Sequence, residues 1–125
     1  MKYLGIDFGL KRIGLAISDG EIASPLKVVE VKGLKDAIQK IYEFAHKGKF
    51  TKIIVGLPEG KIGQTVKGFV KGLGKMGLEV ETSEETLSSK QAISQMIELN
   101  IPKKKRAEED AYSAAIILQK YLDNL

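Results

Sequence analysis

Short apolar runs with a period of two open the chain, and stripes with helical spacing take over from Leu34 onward. Lys2 to Ile6 is an apolar segment bounded by Asp7 and Gly9. From Arg12 to Ser18, strict alternation places Ile13, Leu15 and Ile17 on one face. The pattern predicts two hairpin-paired strands. The opposite face of the second strand carries Gly14, Ala16 and Ser18, so a helix or a ligand can approach that side closely. Ser24 to Val31 predicts a third strand.

Leu34, Ala37, Ile38, Ile41, Phe44 and Ala45 then repeat at helical spacing, with Gly48 placed for a left-handed cap. Lys52 to Val55 is a β-branched run that predicts a buried strand, and Gly56-Leu57-Pro58 ends it as a loop. Val66, Phe69, Val70, Leu73 and Met76 form a second helical stripe. Gly68, Gly72 and Gly74 each weaken it by roughly 1 kcal/mol relative to alanine. Leu78 to Thr82 reads as a fifth strand. Ser88 and Gln91 form a capping box ahead of a third helix containing Ala92, Ile93, Met96 and Ile97. A closing helix runs from Asp110 to Leu122 with a wide apolar face. Three antiparallel strands followed by alternating helices and strands predict an α/β fold, a five-stranded mixed sheet flanked by about four helices.

A chain of 125 residues has room for one substantial core, so residues 1–125 are expected to form one domain. An apolar fraction of 43% and a charged fraction of 29% argue against disordered or fibrous classes. The absence of cysteine excludes disulfides and thiolate metal sites, so any metal must be held by oxygen ligands or the single histidine, which suits hard ions such as magnesium or manganese. Met1 leads into a strand-like segment, and no apolar run approaches the roughly 20 residues needed to span a bilayer. The expectation is a cytoplasmic protein with no membrane association.

Asp7 ends an apolar strand expected in the sheet interior, where an ionised carboxylate is costly unless paired or metal-bound. Asp110 shares a helical face with Ala114, Ile117 and Tyr121 and should point at the sheet. Glu84 and Glu85 offer a third acid in a polar turn after the fifth strand, where α/β sheets commonly place their sites. If the first and fourth strands are parallel neighbours, these acids emerge at one edge. Such a cluster repels itself unless cations intervene, which favours Mg2+ or Mn2+. Each acid also has a bland role: a turn cap for Asp7, a helix N-cap for Asp110, a solvated surface for Glu85. The only histidine, His46, lies near a helix end, and no Ser-His-Asp or Cys-His arrangement is available.

The formal charge of +4 is a mild excess, and its distribution says more. Lys103, Lys104, Lys105 and Arg106 form a run before the last helix, and Lys47, Lys49 and Lys52 cluster near a helix-to-strand junction. Taken alone, a cationic run is most often solvated surface.

Residues Gly5-Ile6-Asp7-Phe8-Gly9-Leu10-Lys11-Arg12-Ile13-Gly14-Leu15-Ala16-Ile17-Ser18-Asp19 closely resemble the opening signature of the YqgF/RuvX family. Members of that family are described as Holliday-junction resolvases or pre-16S rRNA nucleases. Ile54-Val55-Gly56-Leu57-Pro58 is similar to its second motif, and Asp110 through Leu122 to its closing helix. The resemblance implies an RNase H-like fold, divalent metal dependence, and catalytic, metal-binding acids at Asp7, Glu85 and Asp110. The family's third motif usually reads Asp-Glu-Arg-Leu before Ser or Thr pairs, whereas this chain has Glu84-Glu85-Thr86-Leu87-Ser88-Ser89. Aligning Leu87 and Ser88 puts the central acid at Glu85, with Glu84 as the alternate. Thr86 cannot supply the bidentate phosphate donor that an arginine provides. The loop after Pro58 is also short and carries Glu59 and Lys61.

Lys11, Arg12 and the Lys103 to Arg106 run then form a cationic rim for nucleic-acid phosphates. Aromatic content of 6% includes no basic-aromatic stripe, so recognition should rest on shape and phosphates. The expected activity is phosphodiester hydrolysis on structured RNA, in 5′-end maturation of pre-16S rRNA during ribosome biogenesis. Holliday-junction cleavage of branched DNA is the first alternative and a noncatalytic nucleic-acid or ribosome-binding module the second. The assembly is expected to be a monomer or homodimer, the resolvase reading requiring a two-fold dimer. An actin-like phosphotransferase ranks last. Its nucleotide lies between two lobes where this chain has residues for one, and Leu10 stands where that superfamily usually has a hydroxyl residue.

Overall fold

The computed structural model describes residues 1–58, 60–84 and 109–125. Five strands form one sheet: β1 (Tyr3–Asp7), β2 (Arg12–Ser18), β3 (Ser24–Glu30), β4 (Lys52–Leu57) and β5 (Val80–Glu84). Their order is β3-β2-β1-β4-β5, with the first three antiparallel and β4 and β5 parallel to β1. Helices α1 (Leu34–Lys47) and α2 (Ile62–Lys75) cover one face, and α3 (Glu109–Asp123) covers the other. The sheet is therefore mixed as expected. Three of about four expected helices lie among the described residues, and the helix expected after Ser88 lies outside them.

The alternation along β1 and β2 builds both layers. Leu4, Ile6, Ile13 and Leu15 enter a core with Ala37, Ile41 and Ala45 of α1 and Val66, Phe69 and Leu73 of α2. Tyr3, Ala16 and Ile54 face the other way and pack against Ala114, Ala115, Ile117, Leu118 and Leu122 of α3. This second layer is thin because glycines floor it. A Cβ on Gly5 would lie 2.7 Å from the Leu118 Cβ, and one on Gly14 would run into the Asp110 carbonyl oxygen. The small-residue face of β2 thus serves the closing helix.

Several boundaries differ from the pattern. β5 runs Val80–Glu84, not Leu78 to Thr82, because parallel pairing with β4 continues to Leu57↔Glu84 beyond the apolar residues. For the same reason β4 includes Gly56 and Leu57, which the sequence pattern assigns to a loop. Gly48 is not left-handed: its φ is −81°, and Lys49 takes the positive φ of 56°. The Phe50 ring packs against Gly48, within 2.6 Å of where a Cβ would stand. α2 begins at Ile62, one turn ahead of its apolar stripe.

The far end of α3 is tied down by polar side chains. Tyr121 donates its hydroxyl to Glu81. Lys52 lies 3.1 Å from the same Glu81 carboxylate, and these two partners hold Glu81 below the usual carboxylate range. Gln119 accepts from the Ala23 N–H at 2.8 Å and donates to the Glu21 carbonyl at 3.0 Å. Among the described residues, no helix is long and apolar enough to cross a membrane.

Two glycine substitutions should separate packing from propensity. Gly14→Ala should cost about 3 kcal/mol, since its Cβ meets backbone that cannot swing aside. Gly68→Ala, exposed on α2 with its nearest neighbour 3.8 Å away, should gain about 0.5–1 kcal/mol. Denaturant titration of both variants reads the two signs, and equal effects would contradict the packing.

Candidate active site

Asp7 is the last residue of β1 and is only 8% exposed. Its partner across the antiparallel ladder is Gly14, so the two positions share the face covered by α3. The parallel register pairs Ile6 with Val55; continued by one residue, it sets Asp7 beside Gly56. Glycine thus stands on either side of Asp7 in the sheet.

Asp110 lies in the first turn of α3, directly above Gly14. The missing Cβ at Gly14 lets the helix start descend onto the strand position adjoining Asp7. Residues separated by 103 positions in sequence are thereby brought to one end of the sheet. Asp7 ends a paired strand, and Asp110 lies in the first turn of α3.

Burial pushes the pKa of Asp110 above its ordinary value, and the neighbouring Arg12 pulls it part of the way back. Arg12 Nε lies 3.4 Å from Asp110 Oδ2, with the Arg12 side chain 56% exposed. One end of that guanidinium neutralises the carboxylate while the rest faces solvent. An opposite charge beside a half-buried carboxyl favours the ionised form, and burial opposes it; here burial wins.

The remaining sequence-derived residues fall into three groups. Lys11 and Arg12 lie on the β1–β2 turn and the start of β2, at the same end as Asp7. Glu84 is the last residue of β5 and not part of a turn after it. It pairs with Leu57, and the alternation puts it on the α1/α2 face, opposite Asp7. Glu85, Lys103, Lys104, Lys105 and Arg106 lie outside the described residues. Among the described residues no group of three or more His, Cys, Asp or Glu side chains is clustered. Asp7 and Asp110 are two of the three expected ligands. As oxygen donors at a buried sheet end, they fit a hard divalent cation. Sequence reading missed the roles of Gly5 and Gln119 in seating α3; the small face of β2 was the only available signal.

Comparison with known proteins adds the following. The family model RuvX, Holliday junction resolvase, matches residues 1–124. A protein of Endomicrobium trichonymphae named "Putative pre-16S rRNA nuclease" is 39% identical over 98% of this chain and 95% of its own length. Among solved structures, Thermus thermophilus RuvC in complex with a Holliday junction substrate superposes with a TM-score of 0.65 at 18% identity. That match covers 99% of this chain and 95% of that one. The fowlpox virus resolvase with its substrate junction DNA gives 0.68 at 14% identity, covering 99% and 98%. At these identities the two structures establish the fold, which is RNase H-like as the first motif implied.

The raised pKa of Asp110 has a sign that can be checked. The native state binds that proton more tightly than the unfolded chain. The associated stability is complete below the unfolded value near 3.8 and is lost as pH rises through the folded one. In metal-free buffer, Asp110→Asn should therefore match the wild type below that value and exceed its Tm at pH 7. A difference in Tm that does not change with pH would contradict this.

Proposed function

Because the chain belongs to the RuvX family of Holliday junction resolvases, we propose that it is a metal-dependent nuclease acting on structured nucleic acid. The observation carrying this reading is the seating of Asp110 over Gly14, next to Asp7. Asp7 and Asp110 would hold Mg2+ or Mn2+ together with Glu85, the acid that the Leu87-Ser88 alignment selects. The placement of Glu84 on the opposite face supports that choice over the alternate. When bound, such ions supply Lewis acidity for phosphodiester hydrolysis, so no side-chain nucleophile is required. The chain's own contribution is to seat the carboxylates over a glycine floor and to aim Arg12 at the substrate. Arg12 keeps several guanidinium N–H groups for a phosphate while its Nε stays on Asp110.

The preferred substrate is pre-16S rRNA in 5′-end maturation, the activity named for relatives that match this chain nearly end to end. One domain spanning residues 1–125, working in the cytoplasm with ribosomal precursors, fits that role. The family description favours a second reading, resolution of branched DNA. That reading requires a two-fold dimer to make paired cuts. Lys103, Lys104, Lys105 and Arg106, which lie outside the described residues, are proposed to contact phosphates as Lys11 and Arg12 do.

Purified protein offered a pre-16S rRNA fragment and a four-way DNA junction, with Mn2+ and with EDTA, tests both readings. RNA cleavage that depends on the ion is expected, and no ion-dependent cleavage of either substrate would overturn the proposal. Asp7→Asn and Glu85→Gln should each lower the rate by about 100-fold or more without lowering the Tm. Glu84→Gln should stay within several-fold of wild type.

A further inference from the structure

A groove of about 580 Å3 opens beside the start of β2, lined by Lys11, Arg12, Glu30, Val31, Lys32 and Lys40. Four of these six residues are cations, and none is aromatic. The floor is braced, because the Val31 N–H donates to the Lys11 carbonyl at 2.9 Å and joins the β1–β2 turn to the segment after β3. Lys40 is already committed: its Nζ donates to the Glu30 carbonyl at 2.8 Å and lies 3.2 Å from Asp36 Oδ2. Asp36 also accepts from the Lys32 backbone N–H at 2.8 Å, so Lys40 and Asp36 balance each other while fixing the wall.

Lys11 and Lys32 are different. Both are exposed, and among the described residues neither side-chain amine has an ion pair or hydrogen bond. Arg12 links the groove to the acidic pair, since its Nε reaches Asp110 and its other guanidinium N–H groups have no ion pair among the described residues. Glu30 is the one acid in the lining. A braced, aromatic-free channel with two exposed lysines whose amines make no ion pair or hydrogen bond among the described residues suits a phosphodiester backbone better than stacked bases.

We propose that this groove carries the phosphodiester backbone of the substrate strand on one side of the scissile phosphate, with Lys11 and Lys32 contacting successive phosphates and Arg12 bridging to the cleavage centre. The inference rests on the nuclease reading above and adds Lys32, with Lys40 as its structural support, to the binding surface.

Binding is measured in EDTA, where no turnover is expected, by fluorescence anisotropy over a salt series. An RNA hairpin with a 5′ extension and a four-way DNA junction are tested in parallel. Lys11→Gln/Lys32→Gln should weaken binding and make the slope of log K against log salt shallower by about 0.7–0.9 for each lost phosphate contact. Lys32→Gln alone should give about half that change. Lys67→Gln/Lys75→Gln, which removes equal charge from exposed positions on α2, should leave the slope in place. Slopes unchanged in the groove variants, or changed equally in the α2 control, would overturn the proposal. A loss on one substrate only identifies RNA or DNA as the polymer held. Wild-type protein that fails to cleave with Mn2+ overturns the nuclease reading separately, because the slopes are read without turnover.

Discussion

The contact between α3 and the glycine floor of the sheet is the constraint on which the rest depends. Gly5 and Gly14 lack the atoms that would hold the helix away, and the gap left for a side chain at Gly14 is already filled by Asp110 backbone. A helix packed at ordinary distance would leave its first turn well above Asp7. Close approach instead delivers a second carboxylate to a sheet end where glycine already flanks the first. At its other end, Tyr121, Glu81 and Lys52 hold the helix against sliding. Gln119 fastens its middle to the β2–β3 connection.

Placing Asp110 this way costs stability when no cation is bound. Asp110 is harder to ionise than an exposed aspartate because water is removed from it, and Arg12 offsets only part of that. A site that destabilises its own charged form is poised to bind a cation, and the binding then returns the stability withheld in its absence. Proteins commonly retain such local conflict where function needs it and balance it elsewhere, here through two apolar layers around a five-stranded sheet.

Much of this was legible in the residues. The alternation of Ile13, Leu15 and Ile17 against Gly14, Ala16 and Ser18 announced which face of β2 would meet a close neighbour. Asp7 at the end of an apolar run, and Asp110 at the head of an apolar helical stripe, marked themselves as acids in the wrong solvent. Strand ends were less legible. Backbone pairing carries β4 and β5 past their apolar residues, and a ladder partner leaves no trace in local hydropathy. That error hid which way Glu84 points. Gly48 misled in another way, since a glycine after a helix signals a left-handed cap, yet here the Phe50 ring packs against it. The ties through Gln119 and Tyr121 join positions far apart in the chain, and no local pattern encodes them.

The central claim is that Asp7 and Asp110 share one cation. Anomalous diffraction from crystals soaked in Mn2+ measures this directly. A manganese peak within coordination distance of both carboxylates is expected. Ordered crystals with manganese only elsewhere would contradict it.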